Sequence, residues 1–282
     1  MLESPFYPIV YVRGYAGTQG EVEDTVATPY MGFNLGSTKM RQLHTGEPVP
    51  RVFESPLIRL MKDHGYVDAY HDGQVRPPGP RPARSIWIFR YYDVVSEDLG
   101  EGDRKEIEFH AEALGKFLAH IRGAICGDDE AEREKFKVHL VAHSMGGLVC
   151  RAYLQNPDIP DLNKNVDTHG TERGVDKFFT FATPHGGIEF RSGLGWAEGV
   201  RDFIDPNNAG NFGERRMRKF LKLDGKPDEK PDEKPPVHSL NGQFPEERVF
   251  CLVGTDSRYY GAAAGMSKRA VGPMSDGLVQ IK

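Results

Sequence analysis

Cysteine is scarce in this 282-residue chain, and the three that occur exclude most of what cysteine does in proteins. Cys126, Cys150 and Cys251 are odd in number, widely separated and outside any Cys-x-x-Cys spacing. This pattern argues against a disulfide framework and against a thiolate metal site. It favours a reducing compartment, and we expect the protein to be cytoplasmic.

The chain also lacks an excess of positive charge and long apolar runs. Its 36 basic and 41 acidic residues give a formal net charge of −5, so no basic surplus is present to neutralise the phosphates of a nucleic acid. No stretch approaches the roughly 18 apolar residues that span a bilayer, and the amino-terminal residues do not resemble a secretion signal. We therefore expect a soluble, unsecreted protein that has no nucleic-acid partner.

What the sequence does contain is a series of short apolar runs rich in β-branched and aromatic residues. They are continuous rather than alternating, which is typical of strands covered on both faces in a parallel sheet. After the second run, apolar residues recur at helical spacing over 107–121, and Asp103 with Glu106 forms a helix start signal. This order predicts an α/β fold with functional groups at the carboxyl ends of the strands. The runs cover residues 8–13, 85–92, 136–142, 177–182 and 248–254.

Three stretches do not fit this repeating unit. Residues 19–50 are rich in glycine, threonine and proline, and residues 72–84 are rich in proline, so we expect both to be irregular surface chain that contributes nothing to the core. Residues 225–236 contain a tandem Lys-Pro-Asp-Glu repeat, which predicts a solvated linker. Residues 186–236 are therefore expected to leave the sheet and to end in this linker.

The strongest local signal lies in residues 136–154. An apolar strand leads directly into a His-Ser-Met-Gly-Gly turn, and apolar residues then continue at helical spacing. A strand, a sharp turn and a helix form a nucleophile elbow, in which the serine occupies a strained apex and its second neighbours on both sides must be small. We predict that Ser144 is a nucleophile rather than an ordinary turn serine. The other elbow residues are Ala142, His143, Met145, Gly146 and Gly147.

Three segments before residue 188 resemble the bacterial and fungal lipase family of the α/β-hydrolase superfamily. They are the elbow AHSMGG, the segment VYVRGYAGT (10–18), which is similar to the lipase oxyanion loop, and FATPHGG (181–187), which is similar to the segment after the next strand. The resemblance implies an α/β-hydrolase fold with a mostly parallel central sheet flanked by helices. It also implies a single domain over residues 1–282, with a cap or lid insertion in residues 186–236.

Backbone donors for an oxyanion come partly from the elbow and partly from the resemblance. Elbow geometry makes Met145 N–H the first donor, and the resemblance implies that Tyr15 N–H is the second. Arg13 stands where family members usually have a histidine. The alternative is that Arg13–Gly17 is only a turn at the end of a strand.

The sequence identifies the acid and the base of the expected catalytic triad less completely than it identifies the nucleophile. The segment GPMSDGLVQI (272–281) resembles the lipase acid segment and implies Asp276 as the catalytic carboxylate, with Asp256 as the alternative. In this fold the triad histidine follows the acid along the chain, but no histidine follows Asp276. Either the domain is incomplete at its C-terminus and the base lies beyond Lys282, or another histidine serves. His185 is then the best substitute, although lipases carry such a histidine alongside their true base.

The resemblance implies hydrolysis of carboxylic esters, of lipid or another apolar class, through an acyl-enzyme on Ser144. Two alternatives remain open: an acyltransferase or lipid deacylase that uses the same elbow, and a catalytically inactive hydrolase fold that only binds. We expect no cofactor and no metal, since the acidic stretch 96–106 lacks the spacing of a calcium loop.

Residues 215–223, RRMRKFLKL, predict a basic amphipathic helix. It could contact a lipid interface transiently, cover the active site as a cap helix, or pack its apolar side on the core.

Overall fold

A computed structural model describes the sheet and most of the helices around it. The described residues are 2–14, 20, 22–23, 38–52, 56–69, 81–97, 100, 105–161, 173–187, 213–224 and 234–253. Several predictions lie outside these ranges, namely those on Tyr15, Asp103, Asp256 and Asp276 and on most of the insertion at 186–236.

Eight strands and five helices make up the described fold. The strands are β1 (Ile9–Val12), β2 (Thr38–Gln42), β3 (Pro48–Val52), β4 (Val67–Asp68), β5 (Ser85–Phe89), β6 (Val138–His143), β7 (Val175–Phe181) and β8 (Val249–Leu252). The helices are α1 (Pro56–His64), α2 (Ile107–Cys126), α3 (Glu130–Glu134), α4 (Met145–Gln155) and α5 (Glu214–Leu221), and two short 3₁₀ turns cover Tyr91–Val95 and Glu246–Arg248.

The centre of the fold is a six-stranded sheet in the order β4-β5-β1-β6-β7-β8. Every neighbouring pair in it runs parallel. Strands β1 and β5 are buried along their whole length, as their continuous apolar runs predicted. Helices cover both faces: Val10 and Val12 of β1 pack in one cluster with α2 and α4, while Ile9 and Tyr11 pack in a second cluster with α1. The predicted architecture, a mostly parallel central sheet flanked by helices, is confirmed.

Helix α2 is the predicted crossover helix. Its residues Ile107, Leu114, Leu118 and Ile121 are almost completely buried, and it packs closely on α4, where a Cβ built on Gly115 would lie 3.0 Å from the ring of Tyr153. The start signal works differently from the prediction. Glu106 occupies the N-cap position without a side-chain capping bond, and its carboxylate binds Arg216 of α5 instead.

The prediction that residues 19–50 are irregular is wrong in part. Strands β2 and β3 pair antiparallel as a separate hairpin, and they escape notice because TKMRQ and PVPRV contain no apolar run. The two irregular stretches also contribute to the core, since Val22 is 1% exposed and Ala83 is 7% exposed. The apolar run 85–92 ends as a strand at Phe89 and turns into the 3₁₀ segment.

Helix α5 carries the apolar residues of the predicted amphipathic segment. Met217, Phe220, Leu221 and Leu223 are at most 1% exposed and belong to the main core cluster. Asn156, just after α4, donates a 3.0 Å hydrogen bond to the Phe220 carbonyl. The structure therefore favours the interpretation in which this helix packs its apolar side on the core. In the part of the chain that the structure describes, no helix combines the length and hydropathy needed to cross a membrane.

Replacing Phe220 with alanine tests this packing. Because the ring is fully buried, Phe220→Ala should lower the free energy of unfolding by about 3–5 kcal/mol, as expected for a large core aromatic. The measurement is chemical denaturation without lipid. The neighbouring exposed Lys219→Ala is the control and should change little, whereas an unchanged stability of Phe220→Ala would mean that the ring does not face the core.

Candidate active site

The carboxyl ends of β1, β6 and β7 bring the predicted site residues together. The register pairs Val12 with Ala142 and His143 with Phe181, so the chain that leaves β1 and the chain that leaves β7 both lie beside the turn after β6. Parallel sheets of this kind place functional groups at that edge.

Ser144 occupies a strained turn between β6 and α4. Its backbone has φ 51° and ψ −124°, a conformation that costs a residue with a side chain about 1–3 kcal/mol. Surrounding hydrogen bonds hold it there: Ser144 N–H donates to the Phe181 carbonyl at 2.8 Å, and Gly147 N–H donates to the Ser144 carbonyl at 3.0 Å. The side chain is partly exposed. This is the strand, turn and helix geometry predicted for the elbow, although the serine's catalytic role stays a prediction.

Glycines allow two other segments, the chain after β1 and the chain after β7, to approach this turn. A Cβ on Gly14 would lie 2.8 Å from the Ser144 Cβ and 2.7 Å from His143 Nδ1. A Cβ on Gly146 would overlap the carbonyl oxygens of Val12 and Arg13, and one on Gly147 would overlap the side chain of Thr183. The packing of this turn therefore leaves no room for a side chain at Gly14, Gly146 or Gly147.

Met145 begins helix α4, and N–H groups in the first turn of a helix have no acceptor within the helix. Its N–H is thus suited to the oxyanion role predicted for it, and the positive end of the helix dipole favours negative charge at this position. Tyr15, the second predicted donor, lies one residue beyond the described Gly14.

His185 is poorly suited to act as a base. Its ring Nε2 lies 3.0 Å from Thr180 Oγ1, in the strand below the turn. Burial, followed by the positive charge of Arg151 and by His238, lowers the pKa of His185 to about 3. A group with so low a pKa binds a proton too weakly at neutral pH to be an efficient general base. This favours a structural role for His185.

Arg151 is a buried cation that the sequence pattern did not single out. Its guanidinium is fully buried and donates to Gln155 Oε1 at 2.8 Å, to the His185 carbonyl at 2.8 Å, and to the Val237 and Ser239 carbonyls at 2.9 Å. Burial lowers its pKa to about 10, so it remains charged at neutral pH. Its hydrogen bonds connect helix α4 to the loop after β7 and to the chain that returns towards β8. The signal in the sequence that could have identified Arg151 is that it is the one charged residue in the segment LVCRAYL.

The remaining histidines of the predicted site region have other partners. His139 is 8% exposed within β6, as expected for a core residue, and its Nε2 lies 2.8 Å from the Pro5 carbonyl. His143 is exposed and borders Gly14. Within the described ranges, no three His, Cys, Asp or Glu side chains are grouped so that they could hold a metal ion.

The glycine contacts can be tested by adding a single methyl group. Gly146→Ala should lower the free energy of unfolding by about 1–3 kcal/mol, because the new Cβ overlaps backbone that cannot yield easily. Gly123→Ala is the matched control in helix α2, where nothing lies within 4 Å of the added atom; it should stabilise the protein by about 0.5–1 kcal/mol. Thermal and chemical unfolding of both variants would decide, and equal effects would contradict the close packing at the turn.

The neutral state of His185 predicts a pH dependence of stability. The folded protein keeps the ring unprotonated down to about pH 3, whereas the unfolded chain takes up a proton near 6.5, the ordinary pKa of histidine. Unfolding therefore binds a proton in this window, and the free energy of unfolding falls as the pH drops below 6.5. His185→Gln should show a shallower decline than the native chain between pH 6.5 and 4. Identical slopes would mean that His185 titrates normally.

Comparisons with known proteins find similarity to a serine esterase family and to lipases. Residues 105–232 match the family described as "Putative serine esterase (DUF676)". Lipase 2 of Staphylococcus aureus is 25% identical over 210 residues, which is 70% of this chain but 26% of that lipase. The chain thus spans about a quarter of the length of the curated relatives it matches. Among solved structures, the mature lipase BlEst2 of Bacillus licheniformis is 15% identical with a TM-score of 0.43, over 99% of this chain and 78% of that one.

Proposed function

We propose that this protein is a serine hydrolase that cleaves carboxylic esters and that Ser144 is its nucleophile. The observation that carries the proposal is the strained Ser144 turn, which packs against Gly14 after β1 and Thr183 after β7 and is followed by a helix amino terminus. A serine needs such an exposed apex to reach a substrate carbonyl from the top of a sheet. Similarity to serine esterases and lipases supports the same chemistry.

The proposed reaction proceeds through an acyl-enzyme. Ser144 Oγ attacks the ester carbonyl carbon while a histidine accepts the hydroxyl proton, and the N–H groups of Met145 and Tyr15 stabilise the negative oxygen that forms. The protonated histidine then donates its proton to the leaving alcohol, and water releases the acyl group. Asp276 orients this histidine, with Asp256 as the alternative acid. Burial, followed by the charge of Arg151, lowers the pKa of His185 to about 3, which makes His185 a weak candidate for this base.

Relatives named as lipases suggest a lipid or another apolar ester as the substrate. A transferase would pass the acyl group to an alcohol instead of water, so comparing products with and without an alcohol acceptor separates the two. The buried apolar side of α5 gives that helix little to insert into a lipid surface.

Active-site labelling tests the proposal on this chain and on a chain extended past Lys282. Ser144→Ala should abolish both fluorophosphonate labelling and turnover of p-nitrophenyl esters, because no other hydroxyl occupies the elbow apex. Ser239→Ala is the control; its hydroxyl accepts a local hydrogen bond from Asn241 N–H at 3.0 Å, and labelling should persist. Labelling that survives Ser144→Ala would exclude this nucleophile. An extended native chain that neither labels nor turns over would make the protein a binding module.

A further inference from the structure

Strand β1 is held at each end by the hydroxyl of a buried tyrosine. At its amino end, Tyr66 donates a 2.9 Å hydrogen bond to the carbonyl of Tyr7. At its carboxyl end, Tyr91 donates a 2.8 Å hydrogen bond to the carbonyl of Arg13. The two bonds are chemically the same, but only the second lies where the chain passes Ser144.

Tyr91 is built to donate a hydrogen bond. Its side chain is 3% exposed, and its ring centroid lies 4.4 Å from that of Tyr92, 4.7 Å from that of His110 and 5.6 Å from that of Phe89. Burial, followed by the neighbouring Tyr92, raises the pKa of Tyr91 well above its ordinary value, so the hydroxyl keeps its proton. Burying a hydroxyl without a partner is costly, which makes the bond to the backbone a strong positional constraint.

The contact reaches two successive peptide groups. The Tyr91 hydroxyl lies 2.8 Å from the Arg13 carbonyl oxygen and 3.3 Å from the Gly14 carbonyl oxygen, so both oxygens face Tyr91. On the other side, Gly146 closes against the Arg13 carbonyl and Gly14 abuts Ser144. The Arg13–Gly14 segment is therefore clamped between the tyrosine and the turn.

The covalent geometry of the peptide unit links the contact between Tyr91 and the backbone carbonyls to the stabilisation of the oxyanion. In a trans peptide the C=O and N–H bonds of one unit point in opposite directions. The carbonyl of Gly14 and the next N–H along the chain belong to one peptide unit, so fixing this carbonyl limits the directions available to that N–H. A hydrogen bond to the carbonyl also polarises the peptide and strengthens its N–H as a donor.

We propose that Tyr91 is a positioning residue for the oxyanion loop, and that its hydroxyl fixes the Arg13 and Gly14 carbonyls and thereby restricts the peptide unit that supplies the second proposed oxyanion donor. This inference rests on the proposed function. It assigns Tyr91 no contact with substrate: the tyrosine acts through the backbone, and its effect belongs to the transition state, because a ground-state ester carbonyl gains less from the donor than a full negative charge does.

Tyr91→Phe tests the proposal, with Tyr66→Phe as the matched control at the other end of the same strand. Both changes remove one hydroxyl that donates to a backbone carbonyl and retain the ring, so both variants should fold; Tyr91→Phe also loses the longer contact with the Gly14 carbonyl. Tyr91→Phe should lower kcat about tenfold, less than the loss of an oxyanion donor itself, and leave KM unchanged. A tetrahedral boronate inhibitor should bind about tenfold more weakly, and Tyr66→Phe should change neither quantity.

A second readout does not depend on catalysis. Amide hydrogen exchange in residues 13–18 should be faster in Tyr91→Phe than in the native chain and unchanged in Tyr66→Phe. Unchanged exchange, a rise in KM in place of a fall in kcat, or an equal effect of both variants would overturn the proposal. If Ser144→Ala retains activity, the proposed function fails, but the exchange result still decides whether Tyr91 holds the loop.

Discussion

The carbonyl group of Arg13 lies where three parts of the fold meet. Strand β1 leads into it, the Tyr91 hydroxyl donates to it, and the Cα of Gly146 in helix α4 closes on it from the other side. This approach is available only to a helix whose first turn carries glycine. It also explains the positive φ of Ser144, because the chain must turn from β6 into a closely packed helix within a single residue. The strained serine, the glycines and the placement of the loop thus follow from one packing requirement.

Arg151 stabilises the position of the carboxyl-terminal half of helix α4. Its hydrogen bonds reach the loop after β7 and residues 237–239, while Asn156 and Lys222 tie α5 to the carboxyl end of α4 through the Phe220 carbonyl and Asp158. The described part of the excursion between β7 and β8 is therefore anchored two or more turns away from Ser144. A guanidinium suits this position, because its planar fork of donors can bind several carbonyls that a lysine could not reach together.

The sequence predicts those parts of the fold and the site that leave a local pattern. Strands covered on both faces read as continuous apolar runs, and the elbow requires small residues at fixed positions, so β6, α4 and the glycines were accessible. Strands β2 and β3 were not, because their residues mix polar and apolar character. Amphipathic periodicity showed that α5 has an apolar side but not what covers it. The bond from Tyr91 to Arg13 joins residues 78 positions apart, and such a distant side-chain contact with the backbone leaves no periodic trace.

The position of β1 also constrains the order of folding. Ile9 pairs with Ile86 on one side and with His139 on the other, so β1 becomes an inner strand of the sheet although both of its partner strands follow it along the chain. Both edges of this apolar strand remain unpaired during synthesis until much of the chain has emerged from the ribosome. Such non-local parallel pairing is slow to form and leaves unpaired strand edges that favour aggregation. The clamp around Arg13 can close only after Tyr91 and Gly146 have both been made.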